Sequence, residues 1–130
     1  MERPSTRPDS IPVSVDIQKI QPMVTEWDWG REILLARTMF YSLKLLFYRA
    51  GQRGGLQYHV DKDETFHLES GAAIVMHDIG DGRLRFMPMQ AGETFHVPPG
   101  AVHQFRATMD CCVIEASTPH EDDRVRVAGD

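Results

Sequence analysis

Gln57, His59, Glu64 and His103 are the residues whose types and spacing could hold a metal ion in this chain of 130 residues. Gln57 and His59 are two apart, so on a strand both side chains leave the same face. Glu64 follows Val60-Asp61-Lys62-Asp63, a short polar stretch that reads as a turn. It opens the apolar-rich run Thr65-Phe66-His67-Leu68, so a hairpin can fold Glu64 back over His59. His103 follows Pro98-Pro99-Gly100, a rigid turn that sends the next strand inward. Two imidazoles, one carboxylate and one amide oxygen suit a single divalent transition metal (Mn, Fe, Co, Ni or Zn) better than calcium or a thiolate-bound ion. Without a thiolate, such a set leaves positions for water or substrate, the mark of a catalytic rather than a structural site. His67, His77, His96 and His120 have no comparable pattern. His67 lies three residues past Glu64, and strand alternation turns it to the opposite face.

The elements that must position these groups are short strands. Val13 to Ile17 alternates with period two and predicts a first strand, and Pro22 with Glu26-Trp27-Asp28-Trp29-Gly30 reads as a loop. Further strands are expected over Glu32 to Arg37, Tyr41 to Arg49, Leu56 to Val60, Thr65 to Glu69 and Ala72 to Asp78. Leu84 to Met89, Thr94 to Val97, His103 to Ala107 and Cys111 to Ala116 complete the series. Turn residues such as Ala50-Gly51, Gly54-Gly55, Ser70-Gly71, Gly80-Asp81-Gly82 and Ala91-Gly92 separate them. No long segment of helical period competes, so the pattern predicts an all-β sandwich or barrel. One domain is expected, spanning 13–118, between an N-terminal tail at 1–12 with three prolines and a charged C-terminal tail at 119–130.

Composition narrows the partners. With 42% apolar and 25% charged residues the chain reads as an ordinary soluble domain. A net charge of −5 and the lack of a basic run argue against nucleic acid, and no apolar stretch is long enough to span a membrane. The first residues have no apolar core of the secretory kind. The two cysteines, Cys111 and Cys112, are adjacent and cannot form an ordinary disulfide with each other, which points to a reducing, cytoplasmic setting. Exposed sheet edges predict a homodimer, and the partner expected at the site is a small-molecule substrate.

The glycines and prolines around the four candidate ligands fall into two runs. One is G-x5-Q-x-H-x4-E-x6-G from Gly51 to Gly71, and the other is G-x5-P-x-G-x2-H from Gly92 to His103. Together they resemble the two-part signature of the cupin superfamily, over about residues 15–118. The resemblance implies a small single-domain cupin jelly-roll β-barrel that presents Gln57, His59, Glu64 and His103 to one metal ion. Leu56-Gln57-Tyr58-His59 is similar to the Q-x-H of the phosphomannose isomerases, where most cupins have His at the first ligand position. Trp29-Gly30-Arg31-Glu32, Ser117-Thr118-Pro119 and Asp122-Asp123-Arg124-Val125-Arg126 resemble further segments of those sugar-phosphate cupins. Lys62 matches a basic residue near their metal. Two departures stand out. The chain ends at Asp130 without their D-x-Y-G-R run, and Ala107 stands where an Asn is expected. The first takes away a phosphate-binding arginine, which weighs against phosphomannose itself as substrate.

These readings lead to a metal-dependent cupin acting on a small, sugar-derived substrate in the manner of an aldose–ketose isomerase. Lys62 is the group expected to move the proton, and Lys44 is a second candidate because a charge inside the apolar run Leu43 to Phe47 must face water or a site. An Fe(II) dioxygenase built on His59, Glu64 and His103 is the rival. A non-catalytic metal or small-molecule binder is the third class.

Overall fold

The computed structural model describes residues 15–120 and 123–127. Among these residues eleven strands run in chain order: Met23–Trp27 (β1), Gly30–Arg37 (β2), Ser42–Tyr48 (β3), Gln57–His59 (β4), Glu64–Ser70 (β5), Ala72–Asp78 (β6), Leu84–Gln90 (β7), Thr94–Val97 (β8), Val102–Ala107 (β9), Cys111–Ser117 (β10) and Arg124–Arg126 (β11). They form two antiparallel sheets, ordered β1-β2-β3-β10-β5-β8 and β11-β4-β9-β6-β7. The fold is an all-β jelly roll. Among the described residues no helix is long and apolar enough to cross a membrane.

The interior follows from strand alternation. Leu46 and Tyr48 of β3, Phe66 and Leu68 of β5, and Cys111 and Val113 of β10 are buried. They meet Ala73 and Val75 of β6, Met89 of β7 and Ala107 of β9 from the other sheet in one core. The same inward faces turn polar at one end. There β3 offers Ser42 and Lys44, β5 offers Glu64, and β10 offers Glu115 and Ser117. Register makes these neighbours, because Glu115 lies opposite Lys44 and Ser117 opposite both Ser42 and Glu64. The candidate site sits at this end.

Gly71 turns β5 into β6 with a φ of 92°, where only glycine is comfortable. A Cβ there would run into the Asp110 carbonyl. The Pro98-Pro99-Gly100 turn does more than redirect the chain. The Gly100 N–H donates to the His59 carbonyl at 2.7 Å, which ties the turn before His103 to the strand end that carries His59.

Three segments differ from the sequence expectations. Val15, Asp16 and Ile17 are not in a strand and are exposed, and the rest of the strand expected at Val13–Ile17 lies outside the described residues. Alternation marks a segment that can form a strand, but ladder hydrogen bonds need a neighbour, and this one has none among the described residues. Met23–Trp27 pairs with β2 in a tight hairpin, so Glu26 and Trp27 are strand rather than loop. Within the expected C-terminal tail, Arg124–Arg126 pairs with β4. The 1–12 tail lies outside the described residues.

Candidate metal centre

β4 ends on His59, β5 begins on Glu64 and β9 carries His103, and all three side chains are buried. His59 Nε2 lies 3.4 Å from Glu64 Oε1, and His103 Nε2 lies 3.7 Å from Glu64 Oε2. One ligand atom from each of the three falls within 4.8 Å of the others. Gln57 is the register partner of His103 across β4 and β9, so the two side chains share a face. Both line the same cavity, of about 700 Å³.

The donors and acceptors of this cluster do not match one another. His59 Nδ1 is 2.9 Å from Asp123 Oδ1, and His103 Nδ1 is 2.9 Å from the Ala101 carbonyl oxygen. Both partners only accept, so each neutral ring carries its proton on Nδ1 and turns a bare Nε2 toward Glu64. Among the described residues, Glu64 Oε2 and Gln57 Oε1 are buried and have no hydrogen-bond partner. Two imidazole lone pairs, a carboxylate oxygen and an amide oxygen therefore face the same end of the cavity. Buried acceptors without donors are costly, and a cation satisfies them together. The donor set fits a divalent transition metal.

Both lysines anticipated from sequence face the cavity. Lys62 Nζ is buried, 3.2 Å from Glu64 Oε1 and 3.3 Å from Glu115 Oε2. Lys44 Nζ lies 3.5 Å from Glu32 Oε1 on the same wall. Sequence reasoning missed Glu115 and Asp123. Glu115 was detectable as a charge in an otherwise apolar strand. Asp123 lies within Asp122-Asp123-Arg124-Val125-Arg126, but spacing gave it no role at the site. Of the remaining histidines with resolved partners, His67 bonds Thr94 and His96 bonds Asp63 outside the cavity lining, whereas His120 bonds Thr118 and lines the cavity. Tyr48, Phe66, Phe95 and Phe105 also line the cavity as an aromatic wall, with Trp29 stacked on Tyr48 at 4.0 Å between ring centroids.

Charge in the cluster is unbalanced. Two carboxylates, Glu64 and Glu115, share one ammonium, Lys62. Burial and the neighbouring Glu115 push Glu64 up to about 7, against the pull of Lys62. Burial works against the charge on Lys62, but Glu115 and Glu64 outweigh it and hold its pKa above the usual lysine value. Burial lowers the pKa of both His59 and His103, partly offset at His59 by Asp123 and at His103 by the Ala101 carbonyl. At neutral pH both rings are therefore neutral and ready to ligate.

Glu64 sets the expected pH dependence. Below about 7 it holds a proton that an incoming ion must displace. Metal affinity should therefore rise with pH up to that point, by up to roughly tenfold per unit, and flatten above it. The histidines should add to this loss only at lower pH, since their pKa values are depressed. Calorimetry in buffers of different ionisation enthalpy should count about one proton released per ion at mildly acidic pH. An affinity that is flat across this range would remove Glu64 from the ligand set.

No family model and no curated sequence matches the chain. Solved structures do resemble it. The capsular polysaccharide assembling protein CapF from Staphylococcus aureus is 17% identical with a TM-score of 0.73, over 83% of this chain and 32% of CapF. An RmlC-like cupin from Shewanella frigidimarina is 18% identical with a TM-score of 0.64, over 79% of this chain and 88% of that one. Oxalate decarboxylase from Bacillus subtilis, a protein with Mn(II) centres, is 19% identical with a TM-score of 0.69, over 80% of this chain and 29% of that one. The chain thus spans about a third of the length of CapF. These likenesses show the fold, which is the cupin jelly roll.

Proposed function

We propose that this small cupin-fold chain is a metal-dependent enzyme that moves a proton on a small, polar, sugar-derived substrate, as an isomerase does. The observation that carries the reading is the convergence of His59 Nε2, His103 Nε2 and Glu64 at one end of the cavity that Gln57 also lines, where Glu64 Oε2 and Gln57 Oε1 find no donor among the described residues although Lys62 engages Glu64 Oε1. Mn(II) in one structural neighbour and polysaccharide assembly in another support a metal and a sugar-derived substrate. When bound, a divalent ion polarises a carbonyl and the adjacent hydroxyl.

The chain's own groups supply the rest. Lys62 is held as an ammonium between Glu64 and Glu115, so it donates a hydrogen bond or a proton to substrate oxygen and does not act as a free base. Glu115 is the carboxylate next to it on the cavity wall, and in this reading it would take a proton from the carbon beside the carbonyl and return it to the neighbouring carbon. Lys44 and its partner Glu32 border the same space and would meet the substrate's polar groups. Exposed Met23 and Val24 on the edge strand β1 support assembly as a homodimer, and the free thiols of Cys111 and Cys112 fit a cytoplasmic setting.

The second reading, an Fe(II) dioxygenase, is favoured by the three-residue set alone, since two histidines and one carboxylate suffice for that chemistry. Gln57 separates the two. If its amide oxygen is a ligand, Gln57→Ala should weaken metal binding on the order of 10–100-fold, and the parent should exchange the proton beside the carbonyl of candidate sugars with solvent. Metal binding undisturbed in Gln57→Ala, together with oxygen uptake by the Fe(II)-loaded parent, would transfer the assignment to the dioxygenase.

A further inference from the structure

We infer that Asp123, which lies beyond β10 in the segment leading into β11, is a positioning residue for the metal centre. It fixes the ring tautomer of His59 and, with the same carboxylate, closes the loop that carries Lys62 and leads to Glu64. This rests on the metal-centre reading above and extends the site beyond the main barrel strands.

The two carboxylate oxygens have separate tasks. Oδ1 meets His59 Nδ1 at 2.9 Å. Oδ2 accepts the backbone N–H of Asp61 at 2.7 Å and of Lys62 at 2.8 Å. A group that served only to hold the loop would need Oδ2 alone. An ionised carboxylate cannot donate, so the ring must present Nδ1–H to it and leave Nε2 bare toward Glu64.

The two histidines differ in how this is secured. His103 gives its Nδ1–H to the Ala101 carbonyl, two residues away, so its tautomer is fixed locally. His59 depends on a side chain 64 residues further along the chain. β11 seats that side chain. Arg124, Val125 and Arg126 pair with His59, Tyr58 and Gln57, the Val60 N–H donates to the Asp123 carbonyl at 3.3 Å, and the Val127 N–H donates to the Leu56 carbonyl at 2.9 Å. The strand that carries Gln57 and His59 is thus held in place by the segment that orients the His59 ring.

Asp123→Asn separates the two tasks. The amide oxygen can replace Oδ2 and keep both loop hydrogen bonds, which places the amide NH2 against His59 Nδ1. Donor would then face donor, and the neutral ring must shift its proton to Nε2, which points at Glu64 Oε1 3.4 Å away. A protonated Nε2 cannot ligate. Asp123→Ala removes the partner without imposing the wrong tautomer, but releases the loop. Metal affinity is therefore expected to fall about tenfold in Asp123→Ala and on the order of 100-fold in Asp123→Asn. Thermal stability should rank the opposite way, with Asp123→Asn close to the parent.

The experiment is nitrogen-15 NMR of the imidazoles in the metal-free protein at pH about 8, where histidine is neutral, together with titration of Mn(II) and Co(II). The parent should show His59 as the Nδ1–H tautomer and Asp123→Asn should show Nε2–H. A parent with Nε2–H at His59, or an Asp123→Asn variant that keeps Nδ1–H or binds metal as tightly as the parent, overturns the inference. If the parent binds neither ion, the metal reading fails, and the tautomer spectra alone decide whether Asp123 governs the ring.

Discussion

A His59→Ala, His103→Ala double variant should retain no divalent ion under conditions where the parent retains one per chain. The two rings supply both neutral nitrogen ligands, and what remains is Glu64 and Gln57. Glu64 is already engaged by Lys62 at 3.2 Å, so the residual site is a carboxylate paired with an ammonium and an amide. Affinity should drop by at least about a thousandfold, equivalent to roughly 4 kcal/mol. The fold should survive. Leu68, Val75, Ala107 and Val113, the buried centre of the core, pack between the sheets away from the polar end. Elemental analysis after dialysis, with circular dichroism as the control, makes the measurement. Stoichiometric metal in a folded double variant would place the ion elsewhere and end the assignment.

The features that were legible before the structure share one property, which is that they repeat at short range. Strands such as Ala72–Asp78 and Thr94–Val97 sit where they were expected because each is bounded by turn residues and keeps apolar side chains on an inward face. The proximity of His59, Glu64 and His103 was legible through spacing, since period two and two tight turns are enough to bring the three side chains together, with Gln57 paired to His103 beside them. Elements that depend on distant partners were not legible. Met23–Trp27 exposes every residue, so no alternation marks it, and only its hairpin with β2 makes it a strand. Val15 and Ile17 show the reverse, since they alternate yet are 89% and 96% exposed. Arg124–Arg126 is too short to carry a periodic signal. Glu115 carried the same signal that singled out Lys44, a charge among inward apolar residues, and the two prove to lie directly opposite each other.

Lys62→Met should produce the second large effect, with opposite signs for the metal-free and metal-loaded protein. The lysine is buried and bridges Glu64 and Glu115. Removing it leaves two carboxylates together without a cation, and breaking a buried ion pair in this way costs about 3 kcal/mol. The sign with pH follows from Glu64, whose folded pKa is raised to about 7 and should rise further without Lys62. Below the carboxylate's ordinary value both folded and unfolded chains hold the proton, so the penalty vanishes. It grows as pH rises toward the folded pKa and is complete above it. The variant's stability deficit should therefore be small in mild acid and largest above neutrality. A divalent ion replaces the missing positive charge, so metal should bind the variant more tightly than the parent and raise its melting temperature more. Turnover should nevertheless fall by about a hundredfold or more if the ammonium serves substrate oxygen. Urea unfolding across pH and metal titration read these effects independently of any substrate. A Lys62→Met protein with parental stability at every pH and parental metal affinity would show that the lysine lies in solvent, and the charge cluster at the centre of the proposed mechanism would have to be abandoned.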